Sequence, residues 1–132
     1  GSVLAEEIYF SCSTKSGIAV LQMNDNNLEY SFDKKGRTIF LFKSKKIDNG
    51  SFKYNHYSRF QADYFNVSFI NDDYKYLVFS NYEDGQQSQG VTVLNLNNKK
   101  EFTYHCRTTD IDRLSELSSK LQCDRSSSLG CQ

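Results

Sequence analysis

The chain has 132 residues, enough for one ordinary domain with a real core, and 10 Phe and 9 Tyr offer large apolar bodies to fill it. Its 16 basic and 16 acidic side chains give a formal net charge of zero, which argues against an electrostatic grip on nucleic acid or an anionic membrane. Mean hydropathy is -0.63, and no apolar run approaches the roughly 18 residues of a membrane-spanning helix.

Gly1-Ser2 reads as a cloning remnant. Val3-Leu4-Ala5 matches the tail of a signal-peptide cleavage site, with small residues at Val3 and Ala5. Residues 1–7 are therefore read as the remnant of an export region, a plain disordered N-terminus being the competing reading. Period-2 alternation then dominates. It predicts strands over 7–13 and 18–23, separated by a Lys15-Ser16-Gly17 turn. Asn24-Asp25-Asn26-Asn27 is turn chemistry. Leu28, Tyr30 and Phe32 alternate with Glu29, Ser31 and Asp33, and Lys34-Lys35-Gly36 reverses the chain again. Thr38 to Lys43 is apolar on both faces and reads as a central strand. After Asp48-Asn49-Gly50, further strands are marked by Phe52, Tyr54 and His56, by Phe65, Val67 and Phe69, and by residues 74–81.

Ser80 to Val91 is polar and glycine-bearing and reads as a long hairpin connection, followed by strands over 90–96 and 100–107. Ile111, Leu114, Leu117 and Leu121 then recur at helical spacing, behind Asp110 and a Thr109/Asp112 pair that mark a helix start. The expected fold is all-β: one antiparallel barrel or sandwich of about eight to nine short strands. The β domain spans 8–107. One C-terminal α-helix, over 108–122, covers an open end or face, and a serine-rich tail, 123–132, follows it.

Cys12, Cys106, Cys123 and Cys131 make an even set that suits an oxidising compartment, and four cysteines allow three pairings. Ile8, Phe10 and Cys12 share one strand face, as do Phe102, Tyr104 and Cys106, so the inward Cys12 and Cys106 are neighbours if the first and last strands meet. That leaves Cys123 with Cys131 across the tail. Free thiols or intermolecular bridges compete with this pairing. The spacings are not those of a metal site.

No catalytic constellation stands out. His56 and Ser58 lie two apart on one strand face, without a glycine elbow or an oxyanion loop. His105 is out of phase with Phe102 and Tyr104 and is expected to face outward. Asp72-Asp73 and Glu83-Asp84 read as turn charges. Asn49-Gly50-Ser51 and Asn66-Val67-Ser68 match glycosylation sequons. The chain is therefore expected to be a binding protein without enzymatic activity, cofactor or metal. Two stretches are candidate contact surfaces. One is Tyr54 to Tyr64, dense in the residue types that anchor interfaces, with Tyr57 and Arg59 singled out. The other is the hairpin connection, with Tyr82, Glu83, Asp84, Gln86, Gln87, Ser88 and Gln89.

Several stretches carry a family likeness. They are Tyr9-Phe10-Ser11-Cys12-Ser13-Thr14-Lys15-Ser16-Gly17, Leu28-Glu29-Tyr30-Ser31-Phe32-Asp33-Lys34-Lys35-Gly36 and Tyr104-His105-Cys106-Arg107, with Asn81-Tyr82-Glu83-Asp84-Gly85 and Gly90-Val91-Thr92-Val93. Over 8–107 they resemble small exported all-β proteins of Gram-negative bacteria, similar to periplasmic lysozyme inhibitors and to periplasmic immunity proteins of type VI secretion effectors. The resemblance implies a periplasmic protein that binds and neutralises a peptidoglycan-targeting toxin, one candidate being an effector with an L,D-transpeptidase-like fold. A lysozyme inhibitor aimed at host enzymes and a small-ligand β-barrel are the alternatives. The chain departs from c-type lysozyme inhibitors: it lacks their Ser-Gly-x-x-Tyr loop, has no Trp and carries two more cysteines near its end.

Overall fold

Among the described residues ten strands follow one another, and antiparallel neighbours in sequence are mostly neighbours in space. A computed structural model describes residues 7–44 and 50–132. The strands are β1 (Glu7–Thr14), β2 (Ile18–Asn24), β3 (Asn27–Lys34), β4 (Arg37–Lys43), β5 (Phe52–Arg59), β6 (Ala62–Asn71), β7 (Tyr74–Glu83), β8 (Gln86–Asn95), β9 (Glu101–Asp112) and β10 (Gln122–Cys123). They form one sheet in the order β10-β5-β6-β7-β8-β9-β1-β2-β3-β4. Only β10 runs parallel to its neighbour, β5. Three of the hairpins turn on pairs that both adopt positive φ, as tight I′-type reversals require: Asp25-Asn26, Lys35-Gly36 and Asp84-Gly85.

The sheet curls into a half-barrel and does not close. β4, at one end of the order, faces β5, β6 and β7 near the other end through aromatic rings. Phe42 of β4 stacks on Phe69 of β6 at 4.3 Å between centroids. Phe40 of β4 lies 4.9 Å from Tyr76 of β7, and Tyr76 lies 4.8 Å from Phe69. One wall of the interior carries Phe10, Cys12, Leu21, Leu28 and Tyr30, and the other carries Phe52, Phe65, Val67, Phe69 and Val78, all buried.

The expected α-helix over 108–122 is not there. β9 runs on to Asp112 because Thr108 to Asp112 pair with β1, Phe10 opposite Asp112 and Ser11 opposite Ile111. Only a short 3₁₀ helix, Leu114–Ser119, follows. The spacing of Leu114 and Leu117 suits three residues per turn, and both are fully buried, with Leu121 beside them. The segment packs against β1 and β6, opposite walls of the curl, and plugs the space between them. Among the described residues no helix is long and apolar enough to cross a membrane.

Three further expectations are corrected. Residues 38–43 were expected to form a central strand, but β4 is an edge of the sheet. Phe40 and Phe42 turn into the interior, while Ile39 and Leu41 stay 59% and 50% exposed. Ser80 to Val91 is no long connection either. β7 and β8 pair without a break through Tyr82 opposite Gln87 and Glu83 opposite Gln86, leaving Asp84-Gly85 as a two-residue turn. The strand count is ten in one curled sheet, where eight to nine strands in a barrel or sandwich were expected. The signal-tail residues Val3-Leu4-Ala5 and the Asn49 sequon lie outside the described residues.

Cys12 bonds to Cys106 across the paired β1 and β9, with Cα atoms 5.6 Å apart, and Cys123 bonds to Cys131 in the tail. Two bridges fit an oxidising, exported environment. The first joins residues 94 positions apart. Replacing Cys12 and Cys106 by alanine is expected to lower unfolding free energy by about 4–5 kcal/mol, against about 2–3 kcal/mol for the Cys123/Cys131 pair. Urea denaturation of the two double variants checks the order.

Candidate functional site

The two stretches singled out as contact surfaces lie side by side. Strand register sets Arg59 opposite Ala62 and Ala62 opposite Glu83, and in the next rows Ser58, Asp63 and Tyr82, then Tyr57, Tyr64 and Asn81. The β5–β6 turn at Phe60-Gln61 and the β7–β8 turn at Asp84-Gly85 therefore end at one rim of the sheet. The Asp84 N–H donates to the Gln61 carbonyl at 2.9 Å, tying the tips together.

Side chains alternate between the two faces of this double tip. On the outer face Tyr57 stacks on Tyr64, with centroids 6.0 Å apart. The Tyr64 hydroxyl donates to Glu83 Oε2 at 2.7 Å, which pushes its phenol pKa up. Arg59 reaches Glu83 at 3.9 Å and donates to the Phe60 carbonyl at 3.3 Å. Glu83 is thus engaged within the surface, and Asp84, exposed in its turn, is the acid that faces outward. On the inner face Gln87 donates to Ser80, Ser80 to Asp112 at 2.5 Å, Gln89 to Asp112 at 2.9 Å, and Thr109 to Gln89. Gln87 and Gln89 brace the hairpin through this chain of bonds. Tyr82, Gln86 and Ser88 stay exposed.

Phe60 crowns the rim and is 85% exposed. It lies within the candidate stretch Tyr54 to Tyr64, where composition alone does not single it out. The available signal was a phase gap. The inward run Phe52, Tyr54, His56 resumes at Phe65, so a reversal had to fall between them, although Phe60-Gln61 carries no glycine or asparagine to announce it.

His56, a catalytic candidate, is occupied in another way. Both ring nitrogens of His56 are engaged, Nδ1 with the Gln132 carbonyl at 3.0 Å and Nε2 with Asp63 at 3.0 Å. Ser58 donates its backbone N–H to Gln132. His105 is exposed, as expected, and meets Phe79 edge-on. Among the described residues no group of His, Cys, Asp and Glu could hold a metal ion. Asn66 of the second sequon is 8% exposed, too buried to carry a glycan in this fold. Open space lies at the margins. One wide groove of about 840 Å³ runs over Asn66, Leu77 and Phe79 beside tail residues 126–129.

A tail latch holds the β5 side of this surface. Asn55 is buried and donates its amide to the carbonyls of Asp124 and Gly130. His56 donates its N–H to Gly130, and Asp124 to Tyr54. Lys75 of β7 meets Asp124 at 2.6 Å, both side chains largely buried. Burial by itself pushes the Asp124 carboxyl up, but the bonds from Lys75 and Ser126 outweigh it and hold the pKa below the ordinary aspartate value.

A depressed folded-state pKa contributes stability that is present above the unfolded value, about 3.9, and lost as pH falls through the folded one. Asp124→Ala is expected to cost about 3 kcal/mol at neutral pH, because it strands the Lys75 charge. The difference from the parent protein should shrink below about pH 4. Urea unfolding of both proteins at pH 7 and at pH 3 measures it.

Compared with known proteins, the chain matches no family model, no curated protein and no solved structure.

Proposed function

We propose that this protein is an exported, non-enzymatic immunity protein that neutralises a secreted, peptidoglycan-targeting toxin by setting its double hairpin tip into the toxin's active-site cleft. The observation that carries the reading is Phe60. A phenyl ring 85% exposed, on a rim braced by Arg59, Tyr64 and Glu83, is an anchor with little left to order on binding. Asp84 beside it offers a charge to a basic cleft. Two disulfides and the tail latch hold the scaffold that presents it. The engaged His56 supports a binding role over a hydrolytic one. The choice of a cell-wall enzyme as target rests on the family likeness of the strand motifs. Aromatic and aliphatic side chains fill the interior, which weighs against a small-ligand carrier.

Phe60→Ser is expected to weaken the complex with a cognate peptidoglycan-targeting toxin by about 30-fold or more, the range of an interface hot spot. Circular dichroism should show an unchanged fold. Asp84→Lys should weaken binding further at low salt than at high salt. Titration calorimetry with purified toxin, and survival of toxin-producing cells, are the measurements. Absence of any complex at micromolar concentration would sink the proposal. Inhibition of lysozyme by excess protein, with no toxin complex, would move the target to host enzymes.

A further inference from the structure

The sheet has two edges, and the protein treats them differently. On the β5 side, Gln122 and Cys123 pair with Lys53 and Tyr54, and Cys131 bridges to His56. The Cys123–Cys131 bond and the Lys75–Asp124 pair hold that cover in place. On the β4 side no described strand pairs with the outer flank of Arg37–Lys43. An open row of backbone donors and acceptors is a template for another strand, and proteins usually blunt it with prolines, internal charges, bulges or very short strands. β4 has seven residues, no proline and an uncharged centre, Thr38-Ile39-Phe40-Leu41-Phe42; its pairing with β3 slips by one residue at Ile39, and Phe40–Lys43 beyond the slip pairs without a break. Ile39 and Leu41 are 59% and 50% exposed.

The charges choose the occupant. β4 is basic at both ends, Arg37 and Lys43, and the preceding turn adds Lys34 and Lys35. The acids of the adjoining β3 are engaged: Asp33 accepts from Thr38 at 2.6 Å, and Glu29 accepts from Gln22 at 2.8 Å and lies 3.7 Å from Lys43. A second copy is a poor match. Antiparallel pairing centred on Phe40 sets Arg37 against Lys43 twice, and parallel pairing sets each cation beside its own copy. Like charges directly opposite destabilise a strand pair.

We propose that the free edge of β4 receives an extended segment of another protein, with an apolar, β-branched centre and an Asp or Glu at each end, which adds to the sheet as an eleventh strand. Main-chain hydrogen bonds supply the affinity, Ile39 and Leu41 offer an apolar surface to alternate side chains, and Arg37 and Lys43 fix register by pairing with the flanking acids. The bound stretch is about 20–24 Å long, at roughly 3.3 Å per residue. The site is separate from the hairpin tip, so it stands whether or not a toxin binds there.

The probe is the labelled peptide acetyl-Glu-Thr-Val-Thr-Val-Thr-Glu-amide, which sets Val opposite Ile39 and Leu41 when Glu meets Arg37 and Lys43, with the same peptide carrying Lys at both ends as control. Fluorescence anisotropy at low salt and amide hydrogen exchange of the whole chain are read together. The acidic probe is expected to bind at least tenfold tighter than the control and to slow exchange of alternating amides within 37–43. Arg37→Glu with Lys43→Glu should reverse the preference. Arg37→Glu alone, away from the Glu29 contact, should reduce it should the double variant fold poorly. Equal affinity for the two peptides, protection outside β4, or no protection overturns the proposal. So does concentration-dependent protection of β4 without peptide, which would make a second copy the occupant.

Discussion

Ring stacking across the mouth of the curl is the contact on which the rest of this structure depends. Phe40 and Phe42 belong to the last strand of the sheet order, Phe69 and Tyr76 to strands near its other end. No backbone ladder joins these ends among the described residues. Without the stack a ten-stranded twisted sheet would leave the inner residues of β2, β3, β5 and β6 facing water. With it, Phe52 and Leu28 are buried on opposite walls, and the 3₁₀ segment has a cavity to fill. Tyr30 joins the same cluster, 5.4 Å from Phe69, and burial there raises its phenol pKa well above the ordinary tyrosine value. The interior is thus held by geometry-sensitive aromatic contacts as well as by simple apolar area.

Much of this architecture was legible in the sequence because a half-buried antiparallel strand states its period directly. Leu28, Tyr30 and Phe32 alternate with polar neighbours and do face the core. The inward phase of Cys12 and Cys106 foretold their bond. The failures share a cause: each depended on what lay beside an element, which periodicity does not encode. The run at 38–43 resembled a strand covered on both faces, but it lies at the end of a single curled sheet whose outer face has no covering layer, so Ile39 and Leu41 stay exposed. The leucines after 110 kept their buried places, but pairing with β1 claimed the first residues for the sheet and left too few for an α-helix.

The candidate site was half legible. Both stretches were marked by composition, and the sheet brought them to one rim. Their internal chemistry was not visible. Glu83 was expected to present a charge and is instead bound to Tyr64 and Arg59. The tail was expected to be tied through Cys123 and Cys131, and it is; the hydrogen-bonded clasp it adds was not visible, because Asn55 and Lys75 supply partners from strands far away in sequence.

That clasp also sets an order of events in folding. Asn55 waits for Gly130, which lies 75 residues further along, so the flank of β5 stays unpaired while β6 to β9 assemble through local hairpins. Contacts of such sequence separation form late. Until the tail arrives and its sulfurs join, the nascent chain carries two sticky flanks where the finished molecule carries one. The interval before the tail closes is therefore when the flank of β5 is most open to a strand from elsewhere.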